Sequence, residues 1–392
     1  MNGVFLAAWF VASAGCAKLL AVAENMIHGL GLRRPVLQRI RTAHNLLLFS
    51  YPVAVFCGLG LTGPELLWRP HWDRVNPLGW TALAAGWIGF VVLMHSAVRY
   101  WRTRPPACEI SRDSRIVDVA ARYPRELVGD GRAKWLARLP RNQQFTLEVN
   151  EKTYVLPRLP RAWDGVSIVH FTDAHFRGPV TRRYFEAVID EAAALQGDLV
   201  AFTGDLLDRK DLLSWFPDTL GRLSAPLGCY FVLGNHDWYL GIDAAIRAEF
   251  QRHGWTDLAG RIVCVSRGDV SIELAGNERP WMSAAPDLGP CDPARFRVLL
   301  SHSPDRIRWA RQRGVDLMLA GHTHGGQIRL PILGPVYSPS LHDCRYAAGE
   351  FWEPPTLLHV SRGLSGREPI RYNCRPELTK LILRSRDQGA PP

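Results

Sequence analysis

The sequence has no CxxC pair. Its eight cysteines, at 16, 57, 108, 229, 264, 291, 344 and 374, follow neither the spacing of a disulfide framework nor that of a thiolate metal site. Scattered thiols of this kind point to a reducing compartment. Also missing is a compact basic block interleaved with aromatics. The formal charge is +10, but nearly all of the positive charge is arginine spread along the chain. Nucleic acid is therefore not the expected partner; a basic surface facing anionic lipid or an anionic substrate is. No internal repeat or low-complexity tract is present. Met1 to Cys16 has no positively charged start, and Ser13 is a poor residue three before the cysteine, which argues against a signal or lipoprotein peptide.

What the first hundred residues do have is long apolar stretches. Three read as membrane spans, at about 4–23, 42–63 (with Pro52 inside) and 78–98, each near the ~20 residues that cross a hydrocarbon core. Trp80, Tyr100 and Trp101 flank the third, where interfacial aromatics are expected, and Lys18 is expected to snorkel from the end of the first. Arg33, Arg34, Arg39 and Arg41 follow the first span, and Arg99, Arg102, Arg104, Arg112 and Arg115 follow the third. Only Arg69 and Arg74 lie between the second and third. The positive-inside rule then puts the N-terminus outside and everything beyond Val98 in the cytoplasm. A soluble helical core is the competing reading of these stretches. The expected organisation is a transmembrane region of about three helices over 1–101, a linker or surface segment over 102–145 with an amphipathic helix near Ala133 to Leu139, and a catalytic domain over 146–392.

From Phe145 onward short apolar runs alternate with helical stretches. Phe145–Val149 and Thr153–Leu156 read as a hairpin around Asn150-Glu151-Lys152. Strand-like runs follow at Ser167–Phe171, Leu199–Thr203, Tyr230–Leu233, Val298–Leu300 and Leu317–Ala320, with helices at Arg182–Leu195 and Ile242–Arg252. This alternation predicts an α/β sheet, in which ligands bind beyond the carboxyl ends of the strands. At those positions stand Asp173-Ala174-His175, Gly204-Asp205-Leu206-Leu207-Asp208, Gly234-Asn235-His236-Asp237, Ser301-His302 and Gly321-His322-Thr323-His324-Gly325-Gly326. One HxH is a weak signal, whereas five such clusters in series describe an active site at one sheet edge.

Aspartate, histidine and an asparagine carbonyl suit borderline divalent ions such as Mn, Fe, Zn or Co. The candidate ligands are too many for one tetrahedral ion and suit two ions sharing a carboxylate, an arrangement that stabilises attacking and leaving oxygens at phosphorus.

The order DxH, GDxxD, GNHD, H, GHxH resembles the signature of calcineurin-like metallophosphoesterases, over about residues 160–383. Ser301-His302-Ser303-Pro304-Asp305, the run from Gly321 to Ile328 and Val360-Ser361-Arg362-Gly363-Leu364 resemble the membrane-associated bacterial branch that includes the YaeI and YkuE phosphodiesterases. The resemblance implies a four-layer αββα sandwich behind the transmembrane region, in a multi-pass protein of the bacterial inner membrane with its catalytic domain in the cytoplasm. It implies two divalent ions (Mn, Fe or Zn), the first on Asp173, His175 and His324, the second on Asn235, His302 and His322, with Asp205 bridging. His236 would contact a phosphate oxygen or protonate the leaving group, and Asp208 and Asp237 would orient ligands. Metal-bound hydroxide would attack a phosphodiester or pyrophosphate. The implied partner is a phosphorylated amphiphilic or nucleotide substrate beside membrane lipid, with UDP-2,3-diacylglucosamine in lipid A synthesis the leading specific case and another lipid or nucleotide phosphodiester the alternative. An inactive scaffold is a different reading, opposed by a complete ligand set.

Simpler roles compete at several positions. Asp208 or Asp237 could be helix N-caps. His170 and His359 read as structural. His253, His342 and Asp343 lie outside the signature, with surface and substrate roles open. Where the family has a Gly-Val-Asp-Asp-like strand end, this chain reads Ala275-Gly276-Asn277-Glu278, which leaves the shape of the neighbouring pocket open.

Overall fold

A computed structural model describes residues 3–57, 72, 75–124, 126–131 and 133–386. The end of the expected second span (58–63) and the loop arginines Arg69 and Arg74 lie outside the described residues. The chain divides into two compact units: 1–103 with 330–345, and 104–329 with 346–392.

The first unit is built on three long helices, α1 (Gly3–His28), α2 (Arg34–Cys57) and α3 (Pro77–Arg102). By length and composition α1 and α3 can cross a membrane. α2 is not among these candidates over the described residues, which break off at Cys57 inside the expected second span. Glycines set the approach of α1 to α3. A Cβ on Gly15 would collide with the Gly86 carbonyl, and one on Gly89 with the Gly15 carbonyl, so the backbones pack as small-residue interfaces do in membranes. Lys18 departs from its expected place at an interface: it is buried and ion-paired to Asp343.

The second unit is a sandwich of two mixed sheets. One contains, in order, β1 (Glu109–Asp118), β2 (Thr146–Leu156), β15 (Glu377–Ser385), β3 (Ser167–Phe171), β4 (Leu199–Phe202), β5 (Cys229–Phe231) and β6 (Trp255–Asp257). The other contains β13 (Gly349–Glu353), β14 (Thr356–Val360), β10 (Leu317–Ala320), β9 (Arg297–Ser301), β8 (Val270–Asn277) and β7 (Ile262–Arg267). A separate ladder joins β11 (Arg329–Leu330) and β12 (Gly334–Pro335). Side chains of both large sheets, among them Ile168, Ala201, Val232, Leu274, Leu300 and Leu319, share the central core. The outer face of the first sheet is covered by α5 (Arg182–Ala194) and α7 (Asp243–Arg252), through Tyr184, Phe185, Val188, Ile246 and Phe250. α8 (Ile307–Gln312) covers the second through Ile307 and Ala310. The result is the four-layer αββα arrangement. Central strands buried on both faces explain why β3, β4, β9 and β10 read as continuous apolar runs rather than alternating ones.

Two expectations need correction. The segment 102–145 is not simply a linker: it supplies β1, the short helix α4 (Val119–Arg122) and a 3-10 turn at Lys134–Arg138. β1 is an edge strand exposed along most of its length, so it carries no apolar alternation to announce it. Nor is there a hairpin around Asn150. β2 runs unbroken for 11 residues because Asn150 and Lys152 point into a buried charged layer instead of a turn. Lys152 Nζ donates to Glu350 Oε1 at 2.7 Å and to Glu377 Oε1 at 3.2 Å, while Asn150 Nδ2 donates to Glu377 Oε1 at 2.9 Å. His359, read as structural, joins this layer through Glu350 at 2.9 Å, and His170 bonds Thr203 Oγ1 at 2.9 Å.

Candidate dinuclear metal centre

The five ligand-bearing clusters stand just beyond β3, β4, β5, β9 and β10. Three come from one sheet and two from the other, so the site sits across the sandwich rather than on the edge of a single sheet. These turns are tight. Asp173, His175, Asp205, His322 and His324 all adopt positive φ, between 49° and 70°. For residues with a Cβ such backbone costs of order 1–3 kcal/mol each and collects at functional sites. Glycines admit the close approaches: a Cβ on Gly321 would strike Thr172 Oγ1 and Asp173 Oδ2, and one on Gly234 would strike Asp205.

Within this frame the predicted ligands fall into two groups, Asp173 with His175 and His324, and Asp205 with His302 and His322, while His175 also clusters with Asp208 and His236 closely enough to hold an ion. Asn235 Oδ1 joins the second group, 3.1 Å from His302 Nε2. Hydrogen bonds at the rear of three imidazoles fix which nitrogen faces inward. Nδ1–H of His175 donates to Asp208 at 3.0 Å, that of His302 to the Thr203 carbonyl at 2.7 Å, and that of His324 to the Ser365 carbonyl at 3.2 Å. Each ring then points Nε2 inward, the pattern that orients metal-binding histidines. His322 Nδ1 lies 3.1 Å from His302 Nε2, two ring nitrogens converging on one point.

Asp205 stands between the groups. Its Oδ1 accepts from the His236 backbone N–H at 2.8 Å, whereas its Oδ2 lies 3.5 Å from His175 Nε2 and 3.3 Å from His302 Nε2. Asp205 Oδ2 and His175 Nε2 are both buried without a hydrogen-bond partner. Buried polar atoms left unpaired are costly, and here they belong to ligand-type groups aimed at common points. The donor set therefore fits divalent cations.

The carboxylates around the centre have separate tasks. Asp208 accepts from both His175 and His236, the latter at 2.5 Å. Burial would raise its pKa, but His236 and His175 outweigh that and hold it well below the ordinary carboxylate range. Asp237 lies in the first turn of α6 (Asn235–Leu240), in a capping box with the N-cap Gly234. Its oxygens accept from the backbone N–H groups of Gly234, Asp205, Leu206 and Leu207 at 2.9–3.1 Å and so shape the Asp205 turn. Burial, with Asp205 nearby, raises its pKa to about 7. His302 is lifted to about 9: burial opposes the charge, and Asp205 more than compensates. His324 is lowered to about 3, chiefly by burial.

Glu278, where the strand end departs from the family pattern, is fully buried and accepts from the Leu233 N–H at 2.7 Å while pairing with Arg247 at 2.7 Å. It anchors the loop leading to Asn235. Trp281, three residues on, packs its ring 4.9 Å from that of His322 and 5.6 Å from that of His302. No motif carries this tryptophan, and nothing in the sequence singled it out. The peptide carbonyls of Thr203 and Ser365 were equally invisible, since backbone acceptors have no residue signature. His253 sits apart from the centre, packed on Phe216, and Asp343 belongs to the helical unit.

Residues 166–326 match the family described as calcineurin-like phosphoesterase. The chain is 32% identical over 266 residues to the uncharacterized metallophosphoesterase YkuE of Bacillus subtilis, covering 66% of this chain and 90% of that protein. It is 30% identical over 220 residues to phosphodiesterase YaeI of Escherichia coli (55% and 81% covered). To the UDP-2,3-diacylglucosamine pyrophosphatase LpxG of Chlamydia trachomatis it is 26% identical over 295 residues (59% and 88% covered). The chain belongs to the calcineurin-like metallophosphoesterase family, in the branch that includes YkuE and YaeI. It is a metallophosphoesterase, a hydrolase of phosphorus ester or anhydride bonds.

Proposed function

We propose that this protein is a membrane-bound, two-metal phosphodiesterase or pyrophosphatase acting on an amphiphilic substrate. The observation that carries the two-metal reading is Asp205 Oδ2, buried, unpaired, and within 3.5 Å of a histidine nitrogen from each group. Asp173, His175 and His324 would hold one ion, Asn235, His302 and His322 the other, and Asp205 both. Two divalent ions (Mn, Fe or Zn) held there would supply a lowered pKa for water and neutralisation of charge at phosphorus.

The chain's own groups do the rest. His236 keeps Nδ1 on Asp208 and a partly exposed ring, which leaves Nε2 available to a phosphoryl or leaving-group oxygen. Proton delivery from such a position is typically worth 10²–10⁴-fold. Asp208 links this ring to His175, so the acid and one ligand are oriented by a single carboxylate. Asp173 accepts from the His322 N–H at 3.0 Å, which ties the first turn of the site to the last.

Membrane-length α1 and α3, with α2 as the span that returns between them, and the arginines that flank them favour a bacterial inner-membrane location with the catalytic unit in the cytoplasm. UDP-2,3-diacylglucosamine is the leading specific substrate, supported by the similarity to LpxG and by the membrane setting. A panel of UDP-2,3-diacylglucosamine, a phospholipid, a cyclic nucleotide and bis-p-nitrophenyl phosphate, run with membrane-embedded protein and Mn, tests the assignment. UMP release from the first at the highest kcat/KM is the expected result. Preference for a water-soluble nucleotide would refute the amphiphile.

A further inference from the structure

Beyond the strand end Ala275-Gly276-Asn277-Glu278 the chain carries donors that the metal centre does not use. β8, β9 and β10 run parallel, with Asn277 paired to Ser301, so the loops after them emerge together at the edge that holds the ligands. The first loop brings Arg279 and Trp281. The second brings His302 and, in a 3-10 turn over Pro304–Arg306, Arg306; the third brings His322. All of them belong to the catalytic unit.

Three donors in these loops are buried without a partner: Trp281 Nε1, Arg306 Nε and His322 Nε2. Trp281 is only 6% exposed, and its ring lies against that of His322. His322 turns Nδ1 toward His302, and a ring that coordinates through Nδ1 carries its proton on Nε2. Arg306 is half-buried and Arg279 exposed. Among the described residues neither guanidinium takes part in a hydrogen bond or an ion pair. Burial lowers the Arg306 pKa; Asp305 opposes that and Arg279 adds to it, so the two cations stand near one another. Both stay protonated at any working pH and make a fixed positive field. Ordered water accounts for a single unpaired donor. It does not account for two neighbouring cations without an ion pair, in the loops that carry buried donors and metal ligands. An anion does, through charge-assisted hydrogen bonds.

We infer that Trp281, Arg279 and Arg306 form a subsite for a second phosphoryl group, so that the substrate is a diphosphate diester rather than a diester with one phosphorus. The inference rests on the hydrolase reading above and chooses between its two substrate classes. One phosphorus lies at the metal ligands and the other at the arginines. In hydrolysis the oxygen of water joins the first phosphorus, the bridging oxygen leaves with the second, and one water proton goes to each monoester product. Arg279 and Arg306 meet the charge that appears on the leaving phosphate.

The test offers full-length protein with Mn two water-soluble substrates. Diphenyl diphosphate, with one phenyl on each phosphorus, yields two molecules of phenyl phosphate; bis-p-nitrophenyl phosphate has one phosphorus. Wild type should show a kcat/KM about tenfold or more higher for the diphosphate. The ratio of the two kcat/KM values should fall about 10- to 100-fold in Arg306→Met. It should fall also in Arg279→Gln, an exposed position whose substitution leaves folding intact, and in Trp281→Phe, which keeps the ring and loses the N–H. Arg306→Lys should retain part of it. An unchanged ratio in Arg306→Met and Arg279→Gln would overturn the inference, whether both activities fall or neither does. So would wild type that hydrolyses bis-p-nitrophenyl phosphate and leaves the diphosphate intact. Wild type inert toward both substrates would instead fail the hydrolase reading beneath it.

Discussion

Replacing Asp208 by asparagine probes the centre through one atom. In the native site Oδ2 accepts from His175 Nδ1 at 3.0 Å and Oδ1 accepts from His236 Nδ1 at 2.5 Å. The amide keeps the shape but only one oxygen, so one imidazole loses its acceptor and meets an NH2 group instead. A hydrogen bond to a charged group is worth ~1.5–3 kcal/mol, or roughly 10- to 100-fold at ~1.4 kcal/mol per tenfold. Loss of orienting carboxylates at metal sites costs about the same. Hydrolysis of bis-p-nitrophenyl phosphate, titrated with Mn, separates the two consequences. If His175 is released, the Mn concentration for half-activity rises; if His236 is released, kcat falls at saturating Mn. Activity at limiting Mn should drop about 10- to 100-fold either way. Unchanged Mn dependence with kcat within twofold would refute the shared-carboxylate argument.

Other perturbations test the frame around the site. Lys152→Met removes the cation buried between Glu350 and Glu377 and should destabilise the catalytic unit by about 3–5 kcal/mol in denaturant unfolding; a loss below 1 kcal/mol would mean that the layer is not charged as drawn. Glu350 has its pKa lowered from 4.5 to about 2, where burial is outweighed by Lys152 and His359. A folded pKa below the unfolded value gives stability that is complete above pH 4.5 and lost as pH falls toward 2, about 3 kcal/mol at ~1.36 kcal/mol per pH unit. Glu350→Gln should flatten that part of the acid-unfolding profile, and an unchanged profile would contradict it. Gly321→Ala drives a methyl into Thr172 and Asp173 and should lower metal content and activity together, whereas wild-type metal content would show that the turn can yield.

Much of the centre was legible in the sequence because its chemistry is carried by side chains placed directly after buried strands. Asp173, Asp205, Asn235, His302 and His322 each follow an apolar run of three to five residues, and parallel strands bring such ends together. The parts that escaped notice have no local signature. β1 is polar on both faces because it is an exposed edge. Asn150-Glu151-Lys152 has the composition of a turn, yet it continues a strand because its partners, Glu350 and Glu377, lie some two hundred residues away. Lys18 resembles a snorkelling residue until Asp343 arrives from the far half of the chain. Long-range polar pairing overrode local pattern in both cases.

Metal stoichiometry is the direct test of whether Asp205 is shared by two metal ions. Protein stripped with chelator, reloaded with Mn and measured by inductively coupled plasma mass spectrometry should hold two ions per chain. Asp205→Ala should hold one or none and lose hydrolysis of bis-p-nitrophenyl phosphate. A variant retaining two ions, or metal-free wild type turning over at the full rate, would contradict the account.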